Sequence, residues 1–443
     1  MNFREAMEYI SWAGKFGMVP GLDSIRELCR RTDNPQKSLK FVHVAGTNGK
    51  GSVCAYVANV LKCGGYRVGR YLSPAIFDYR ERIQVNDAYI TKSALCRYME
   101  LLRTVCDEMT AEGLPHPTPF EMETVMGFLY FKEKKCDIVV LETGMGGLLD
   151  ATNVVDNTLV AVLTSISRDH MRFLGGTLSE IAAQKAGIIK KGCHVVAAAQ
   201  EEEVMEVLRN KAAEFSCPFT AVDKSAAGHV RYGLERQKFD FDGFRNLEIT
   251  LAGQYQIENA VLALEVLKAL GNMGLSVTEQ KVREGMAETK WPARFTIVGR
   301  NPYFIVDGAH NEDAARRLAQ SIELYFAGRR IVYIMGMLKD KEYEKVIALT
   351  HFYADQIITV AVPDNPRTLS AYELAREVAK VHPEVTAADS LEEAVEMSRL
   401  LARKEDVILA FGSLYFMGRL MKLVDTACGK KQADLKGKGS RLK

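Results

Sequence analysis

The sequence lacks a long apolar run. No uninterrupted apolar stretch in its 443 residues approaches the roughly 18 that suggest a membrane span. Arg4, Glu5 and Glu8 interrupt the amino terminus, where a secretory signal peptide would be apolar. We therefore expect a soluble, cytoplasmic protein with no membrane partner.

Closely spaced cysteine pairs are also absent. None of the nine cysteines forms the C-x-x-C spacing that is typical of zinc sites and thioredoxin-like redox sites. This absence argues against both kinds of site. It favours reduced, mostly buried thiols.

Most of the chain has no excess of positive charge. The formal net charge is +2, but residues 429–443 carry six Lys or Arg against one Asp, a surplus of +5 that leaves −3 for the rest. This balance gives no reason to expect a nucleic-acid partner. We expect the Gly- and Lys-rich tail to be disordered and assign it no function.

Apolar residues make up 47% and charged residues 26%, so the chain can bury sizeable cores, and its length predicts two or three domains. Nearly all-apolar runs alternate with helical patterns, as in α/β proteins whose parallel strands are buried on both faces. The predicted strands are 41–46, 67–72, 137–144, 159–166 and 194–199, then 303–310, 330–337, 356–362 and 406–413.

The strand-and-helix rhythm is interrupted once and then restarts. Residues 218–252 alternate polar and apolar side chains between glycine turns, which predicts an antiparallel hairpin or edge extension. We expect a domain at 1–294 with a mostly parallel sheet, and a smaller Rossmann-like domain at 295–428.

A glycine-rich loop follows the first buried strand. It reads Gly46-Thr47-Asn48-Gly49-Lys50-Gly51-Ser52 and leads directly into a helical pattern. Such a loop surrounds phosphate oxygens with backbone N–H groups, its lysine reaches the terminal phosphates, and its hydroxyl can bind Mg²⁺. Gly51 between Lys50 and Ser52 departs from the general P-loop spelling.

That spelling, AGTNGKGS, resembles the phosphate loop of folylpolyglutamate synthases and dihydrofolate synthases, which belong with the Mur ligases. The resemblance also includes YLSP at 71–74, RERI at 80–83, FEMET at 120–124, LETGMGGLLDATN at 141–153, the segment 167–190, GQYQIENA at 253–260, WPARF at 291–295, DGAHN at 307–311 and GSLYFMG at 412–418. It implies an N-terminal P-loop domain like the central domain of Mur ligases, with a Rossmann-like C-terminal domain.

The implied reaction is ATP-dependent formation of an amide. A folate carboxylate would attack the γ-phosphate of ATP, and L-glutamate would then displace phosphate from the acyl phosphate. Lys50, Lys185, His170 and Arg294 are the expected catalytic residues, and we expect a monomer. The acceptor could be tetrahydrofolate, dihydropteroate or both.

Metal and carbamate roles are implied by the same resemblance. Two Mg²⁺ ions would be held by Ser52, Ser73, Glu142, His170 and a Lys185 that CO₂ has carbamylated. The ordinary alternatives are a solvated strand end for Glu142, a structural histidine, an ST-turn for Ser73 and a surface lysine.

Nucleotide contacts are expected from both domains. The loop from Thr47 to Ser52 would bind the phosphates, and Asn259 would lie near adenine unless it merely caps a helix. From the second domain, Arg294 would approach the phosphates, Asp307 would bind the ribose, and His310 would shape that corner.

Folate contacts are expected from two segments, Thr118, Pro119, Phe120 and Glu121 in the first and Leu149, Asp150 and Ala151 in the second. The chain departs from its relatives here. Ala75 stands where His is common, Leu148 where Arg is common, and Ala293 where Gly is common. We expect these losses to favour tetrahydrofolate over dihydropteroate.

Two other functions remain alternatives from sequence. One is a Mur-like ligase acting on a cell-wall precursor. The other is a non-catalytic, nucleotide-dependent regulator, which would have no use for Lys185, Arg294 and Asp307 together.

Overall fold

A computed structural model describes residues 1–17 and 21–425. It divides the chain into two units. The first is Met1–Val230, Lys238–Thr250 and Gln256–Thr289, and the second is Arg231–Gln237, Leu251–Tyr255 and the residues from Lys290 onward. The sequence predicts a boundary at 294/295. In the structure, two short segments before Lys290, Arg231–Gln237 and Leu251–Tyr255, belong to the second unit. The tail at 429–443 lies outside the described residues.

The helices and strands up to residue 289 are, in chain order, α1 Phe3–Ala13, α2 Asp23–Arg31, β1 Phe41–Ala45, α3 Lys50–Cys63, β2 Val68–Tyr71, β3 Ile83–Val85, β4 Ala88–Tyr89, α4 Lys92–Ala111, α5 Pro119–Glu133, β5 Ile138–Glu142, β6 Thr158–Leu163, α6 Met171–Leu174, α7 Leu178–Ala186, β7 His194–Ala198, α8 Glu202–Glu214, β8 Phe219–Val222, β9 Gly228–Arg231, β10 Gln237–Phe241, β11 Phe244–Ile249, α9 Gln254–Asn272 and α10 Glu279–Glu288.

Eight strands of the first unit form one sheet, in the order β4-β3-β2-β5-β1-β6-β7-β8. The six strands from β2 to β8 in this order run parallel, and β3 and β4 add an antiparallel edge. All residues of β1 and β5 are buried, because helices cover both faces. This confirms the mostly parallel α/β architecture.

The segment 218–252 divides between two sheets. β8 joins the edge of the main sheet as a parallel strand, whereas β9, β10 and β11 form a separate three-stranded sheet. Asp242 and Gly243 connect β10 to β11 with φ of +44° and +86°. Two left-handed residues are what a two-residue hairpin turn requires.

The second unit contains β12 Thr296–Arg300, β13 Tyr303–Asp307, α11 Glu312–Phe326, β14 Ile331–Met335, α12 Tyr343–Thr350, β15 Gln356–Thr359, α13 Ala371–Ala379, β16 Val385–Ala387, α14 Leu391–Leu401 and β17 Val407–Phe411. Its sheet has the order β12-β13-β17-β14-β15-β16, and β12 is the antiparallel member. A buried apolar cluster that includes Tyr333, Phe411 and Phe326 packs beside this sheet. No helix in the described part of the chain combines the length and the hydrophobicity needed to cross a membrane.

Candidate active site

The phosphate loop lies at the edge of the main sheet where four neighbouring parallel strands end. Val44 of β1 pairs with Glu142 of β5, Ala45 pairs with Leu163 of β6, and Tyr71 of β2 pairs with Leu141. Residues that follow these strands therefore meet at one edge. Ligands of open α/β sheets bind at this carboxyl edge.

The phosphate loop is held in shape by the segment after β6. Thr47 N donates a hydrogen bond to Ser165 O at 2.7 Å, and Ser167 N donates to Thr47 Oγ1 at 3.0 Å. Asn48 forms a backbone bridge with Ser165. Gly46 has a φ of +156°, and a Cβ there would lie 1.8 Å from Thr164 Oγ1, so no other residue fits without moving its neighbour.

Lys50 is the first residue of α3, and its side chain contacts the backbone of the phosphate loop. Its Nζ donates to Gly46 O at 3.1 Å and to Thr47 O at 3.2 Å. Gly49 precedes it with a φ of +90°. The amino terminus of α3, including Gly51, thus faces the loop with its partial positive charge, as phosphate binding requires.

Asn259 and Gln256 of α9 brace this loop. Gln256 Nε2 donates to Ser52 Oγ at 3.2 Å, and Asn259 Nδ2 donates to Gln256 Oε1 at 3.1 Å. A Cβ on Gly49 would lie 2.6 Å from Asn259 Oδ1. The structure therefore places Asn259 against the phosphate loop. Sequence reasoning assigned no role to Gln256, although the Q-x-x-N-A spacing puts both amides on one helix face.

Lys185 is buried rather than at the surface. Its side chain is 3% exposed, and its Nζ donates to Gly46 O at 2.8 Å. Burial is the main cause that lowers the pKa of Lys185 to about 7, and the charge of Lys50 lowers it further, while Asp169 and Asp150 oppose the shift. An amine whose charged form is disfavoured by burial therefore contacts the phosphate loop.

Three residues that the sequence assigned to Mg²⁺ follow the same strands. Glu142 ends β5 and is 5% exposed, and its Oε2 is 3.5 Å from Ser73 N. His170 adopts a left-handed φ of +52°, and its Nε2 lies 3.8 Å from Asp169 Oδ2. Across 1–17 and 21–425, no three His, Cys, Asp or Glu side chains cluster as metal ligands.

The first of the two segments that the sequence predicts to bind folate caps α5. Thr118 Oγ1 accepts from Glu121 N at 3.3 Å, and Glu121 Oε2 accepts from Thr118 N at 2.7 Å, which is a capping box with Pro119 as the first helical residue. Thr118 and Glu121 thus satisfy each other. Phe120, in the first turn, is partly buried against the core, and its ring lies 6.0 Å from that of Tyr71.

The second segment predicted to bind folate packs against the first. A Cβ on Gly144 would lie 2.6 Å from Phe120 Cζ and 3.2 Å from Asp150 Oδ2. Asp150 is buried, which raises its pKa, and it accepts from Met145 N at 2.8 Å and from Thr152 Oγ1 at 2.6 Å. The structure therefore brings together the two segments that the sequence assigns to folate binding.

The same loop touches the helix that carries Lys185. Leu148 N donates to Gln184 O at 2.6 Å, and Asn153 Nδ2 donates to Gly187 O at 3.1 Å. Leu149 is 49% exposed and Leu148 43% exposed, so both side chains face outward from a fixed backbone, whereas Ala151 is buried.

In the second unit, the carboxylate of Asp307 accepts three hydrogen bonds from nearby residues. Its carboxylate accepts from Phe295 N at 2.7 Å, Ala309 N at 2.8 Å and Tyr255 Oη at 3.2 Å. Burial raises the pKa of Asp307, and the Arg294 guanidinium opposes this shift. Sequence reasoning missed Tyr255, although it lies in the matched GQYQIENA segment.

Arg294 and His310 lie on either side of Gly308. Arg294 Nη1 donates to Ala293 O at 3.0 Å, and His310 Nδ1 lies 2.7 Å from Gly308 O. A Cβ on Gly308 would lie 2.4 Å from Arg294 Nη1. Ala293 has a φ of +59°, a left-handed conformation that favours glycine.

The two units and the phosphate-loop site define a class of enzyme, the Mur ligases. Residues 44–267 match the family described as the Mur ligase middle domain, and residues 293–414 match the Mur ligase glutamate ligase domain.

Within this class, the chain belongs to the folylpolyglutamate synthase and dihydrofolate synthase family. It is 33% identical to the dihydrofolate synthase/folylpolyglutamate synthase of Bacillus subtilis, covering 95% of this chain and 98% of the relative. It is 32% identical to the folylpolyglutamate synthase of Lacticaseibacillus casei, covering 94% and 97%.

Solved structures agree with this assignment. The folylpolyglutamate synthase of Thermotoga maritima superposes with a TM-score of 0.83 at 33% identity, covering 96% of this chain and 97% of that one. The Mycobacterium tuberculosis folylpolyglutamate synthase, complexed with ADP and AMPPCP, gives 0.87 at 28% identity, covering 95% and 98%. The family resemblance inferred from sequence is thereby confirmed.

Proposed function

We propose that this enzyme, an ATP-dependent ligase that joins L-glutamate to folates, mainly extends the γ-glutamyl chain of tetrahydrofolates. One observation supports the ligase chemistry above the others. The phosphate loop and both folate segments lie at one edge of a single sheet, and Lys185 and its helix contact the phosphate loop and the second folate segment. A phosphate donor and a folate acceptor bound there would be neighbours.

The proposed reaction has two steps. A γ-carboxylate oxygen of the folate attacks the γ-phosphorus of ATP, the bond to ADP breaks, and an acyl phosphate forms. The amine of L-glutamate then attacks the acyl carbon, phosphate leaves, and the amine loses a proton. Lys50 neutralises phosphate charge as two anions approach, so no nucleophilic side chain is needed.

The residues of the site fit Mg²⁺ by their donor chemistry. Mg²⁺ prefers oxygen ligands and keeps several waters or substrate phosphates. Ser52, Ser73 and Glu142 offer oxygens, and His170 adds an imidazole; these four with carbamylated Lys185 would hold two ions, which would supply charge neutralisation.

Carbamylation of Lys185 is part of the proposal. Its buried Nζ, with a lowered pKa, can attack CO₂ in its neutral form, forming an N–C bond and releasing a proton, which gives a carboxylate beside Gly46. Incubation with ¹³CO₂ should produce a carbamate ¹³C resonance that Lys185→Met lacks and that the exposed-lysine control Lys191→Met retains. A resonance that survives in Lys185→Met contradicts this assignment.

Four further residues are proposed to contact the nucleotide. Asn259 is supported by its place against Gly49, which favours a role close to the phosphates as well as adenine. Arg294 would neutralise phosphate charge, Asp307 would bind ribose, and His310 would shape that corner. Each should raise the KM for ATP when replaced by Ala.

Acceptor preference follows from the altered folate segments. Leu148 is apolar and Ala75 is small, whereas the resemblance to the family implies that Arg and His are common at these two positions. Neither can supply a cation or an imidazole to the short acceptor dihydropteroate, so we propose tetrahydrofolate as the better acceptor.

Incubation with ATP, labelled L-glutamate and either acceptor tests this proposal. We expect kcat/KM to favour tetrahydrofolate by about tenfold, or about 1.4 kcal/mol of transition-state stabilisation. A tenfold preference for dihydropteroate would reverse it. ADP release that does not depend on glutamate would instead support the nucleotide-dependent regulator, and light scattering tests whether the 49.4 kDa chain is a monomer.

A further inference from the structure

The RERI segment, Arg80 to Ile83, has no role in the reaction as described above. It follows the loop that contains Ser73 and Ala75, and it leads into β3. Two of its side chains are largely shielded from solvent. Glu81 contacts the backbone of residues 76–78, and Arg82 contacts Glu123 of α5.

Glu81 holds the loop that follows Ser73. Its side chain is buried, 7% exposed, and its carboxylate accepts three backbone hydrogen bonds, from Ile76 N at 2.8 Å and from Phe77 N and Asp78 N at 2.9 Å each. One carboxylate therefore satisfies three consecutive amides. Hydrogen bonds to an ionised acceptor are stronger than those between neutral groups, so this loop has one preferred shape.

Arg82 joins the same segment to the folate helix α5. Its Nη1 donates to Glu123 Oε2, and Glu123 Oε1 accepts from Tyr79 Oη at 2.5 Å. The side chain of Glu123 is 4% exposed and that of Arg82 is 21% exposed. An ion pair this buried is sensitive to the loss of either partner, because the remaining charge is left uncompensated.

Both ends of this connection reach residues of the proposed site. On one side, Leu72 N donates to Arg82 O at 3.0 Å, and the adjacent Ser73 N lies 3.5 Å from Glu142 Oε2. On the other side, Glu123 is one helical turn after Phe120. Glu81 and Arg82 thus fix the Ser73 loop relative to the helix that carries Phe120.

We propose that Glu81 and Arg82 are positioning residues for the acceptor, which hold the Ser73 loop and the folate helix at the separation that folate activation requires. This inference rests on the proposed folate site. It predicts that their loss impairs use of the folate and leaves metal-free nucleotide binding intact, because neither residue contacts the phosphate loop.

The variants Glu81→Gln, Arg82→Met and Glu123→Gln test this inference in the full-length enzyme. We expect kcat/KM for tetrahydrofolate to fall by about tenfold or more, since a displacement of about 1 Å has effects of this size. The dissociation constant of AMPPCP, measured without Mg²⁺, should stay within about twofold of wild type. The matched control is Glu133→Gln, which breaks the exposed Arg97–Glu133 pair at the other end of α5 and should leave both quantities unchanged.

A double variant, Arg82→Met with Glu123→Met, separates positioning from stability. Apolar replacement of a buried ion pair often preserves stability, so the double variant should melt near the wild-type temperature and still use tetrahydrofolate poorly. Kinetics within about twofold of wild type in the stable variants would overturn the inference, and so would a parallel loss of AMPPCP affinity. A wild-type enzyme that fails to glutamylate tetrahydrofolate would instead contradict the proposed function.

Discussion

Replacing Lys185 with Met should stabilise the folded protein while abolishing glutamate ligation. The lysine is buried against Gly46, and burial lowers its pKa from 10.5 to about 7. Methionine fills a similar volume and has no charge to desolvate. The variant would also lose the group that we propose is carbamylated.

The magnitude follows from proton linkage. Between pH 7 and 10.5 the unfolded chain binds more protons at Lys185 than the folded chain does, so the wild-type unfolding free energy rises with pH across this window. Near pH 7 the unfavourable contribution is about 4 kcal/mol, and at pH 9 it is about 2 kcal/mol. The lost hydrogen bond to Gly46 O offsets about 1 kcal/mol.

We therefore expect Lys185→Met to be more stable than wild type by about 3 kcal/mol at pH 7 and by about 1 kcal/mol at pH 9. Urea unfolding in metal-free, CO₂-depleted buffer measures both values. Lys191→Met, at the exposed neighbouring lysine, should show no such pH-dependent gain. A Met variant that is less stable at pH 7, or a difference that does not change with pH, would refute the reasoning.

Three other predictions concern the phosphate loop and the strand before it. Lys50→Ala should abolish ATP-dependent glutamate incorporation without altering the circular dichroism spectrum, and near-normal turnover would remove the phosphate-loop assignment. Gly49→Ala should raise the KM for ATP by about tenfold, because its φ of +90° disfavours a side chain and the new Cβ would approach Asn259 Oδ1 at 2.6 Å; an unchanged KM would contradict this. Burial lowers the pKa of His43 to about 3, so below about pH 6.5 the unfolded state binds a proton that the folded state does not. The free energy of unfolding therefore decreases as the pH is lowered, by up to about 1.4 kcal/mol per pH unit. His43→Gln, which can keep the hydrogen bond to Thr152, should unfold at lower pH, and an unchanged acid midpoint would show that another group governs acid unfolding.

Much of the fold was predictable because its signals are local. The predicted strand at 41–46 is β1, Phe41–Ala45, and the predicted strand at 137–144 is β5, Ile138–Glu142. A strand buried on both faces needs an unbroken apolar run, and a phosphate loop needs its glycines and lysine in consecutive positions. Such patterns are visible without knowledge of any distant contact.

Strand pairing was less accessible. No local feature of 219–222 distinguishes an edge strand of the main sheet from part of the hairpin that follows, because both expose one face. Likewise, β12 pairs antiparallel with β13, although the second unit was expected to repeat a strand-and-helix pattern. Which strands become neighbours depends on how distant helices cover the sheet.

The state of each site residue was decided by tertiary structure alone. Sequence composition cannot distinguish a solvated lysine from a buried one, and Lys185 acquires its lowered pKa only where the chain brings it to Gly46, 139 residues away. The same holds for Glu81 and Glu123, whose fixed positions also depend on tertiary contacts. A carboxylate becomes a fixed element of a site only when folding removes water and supplies hydrogen-bond donors. The sequence determined which chemical groups are present, whereas their charge and orientation follow from long-range packing.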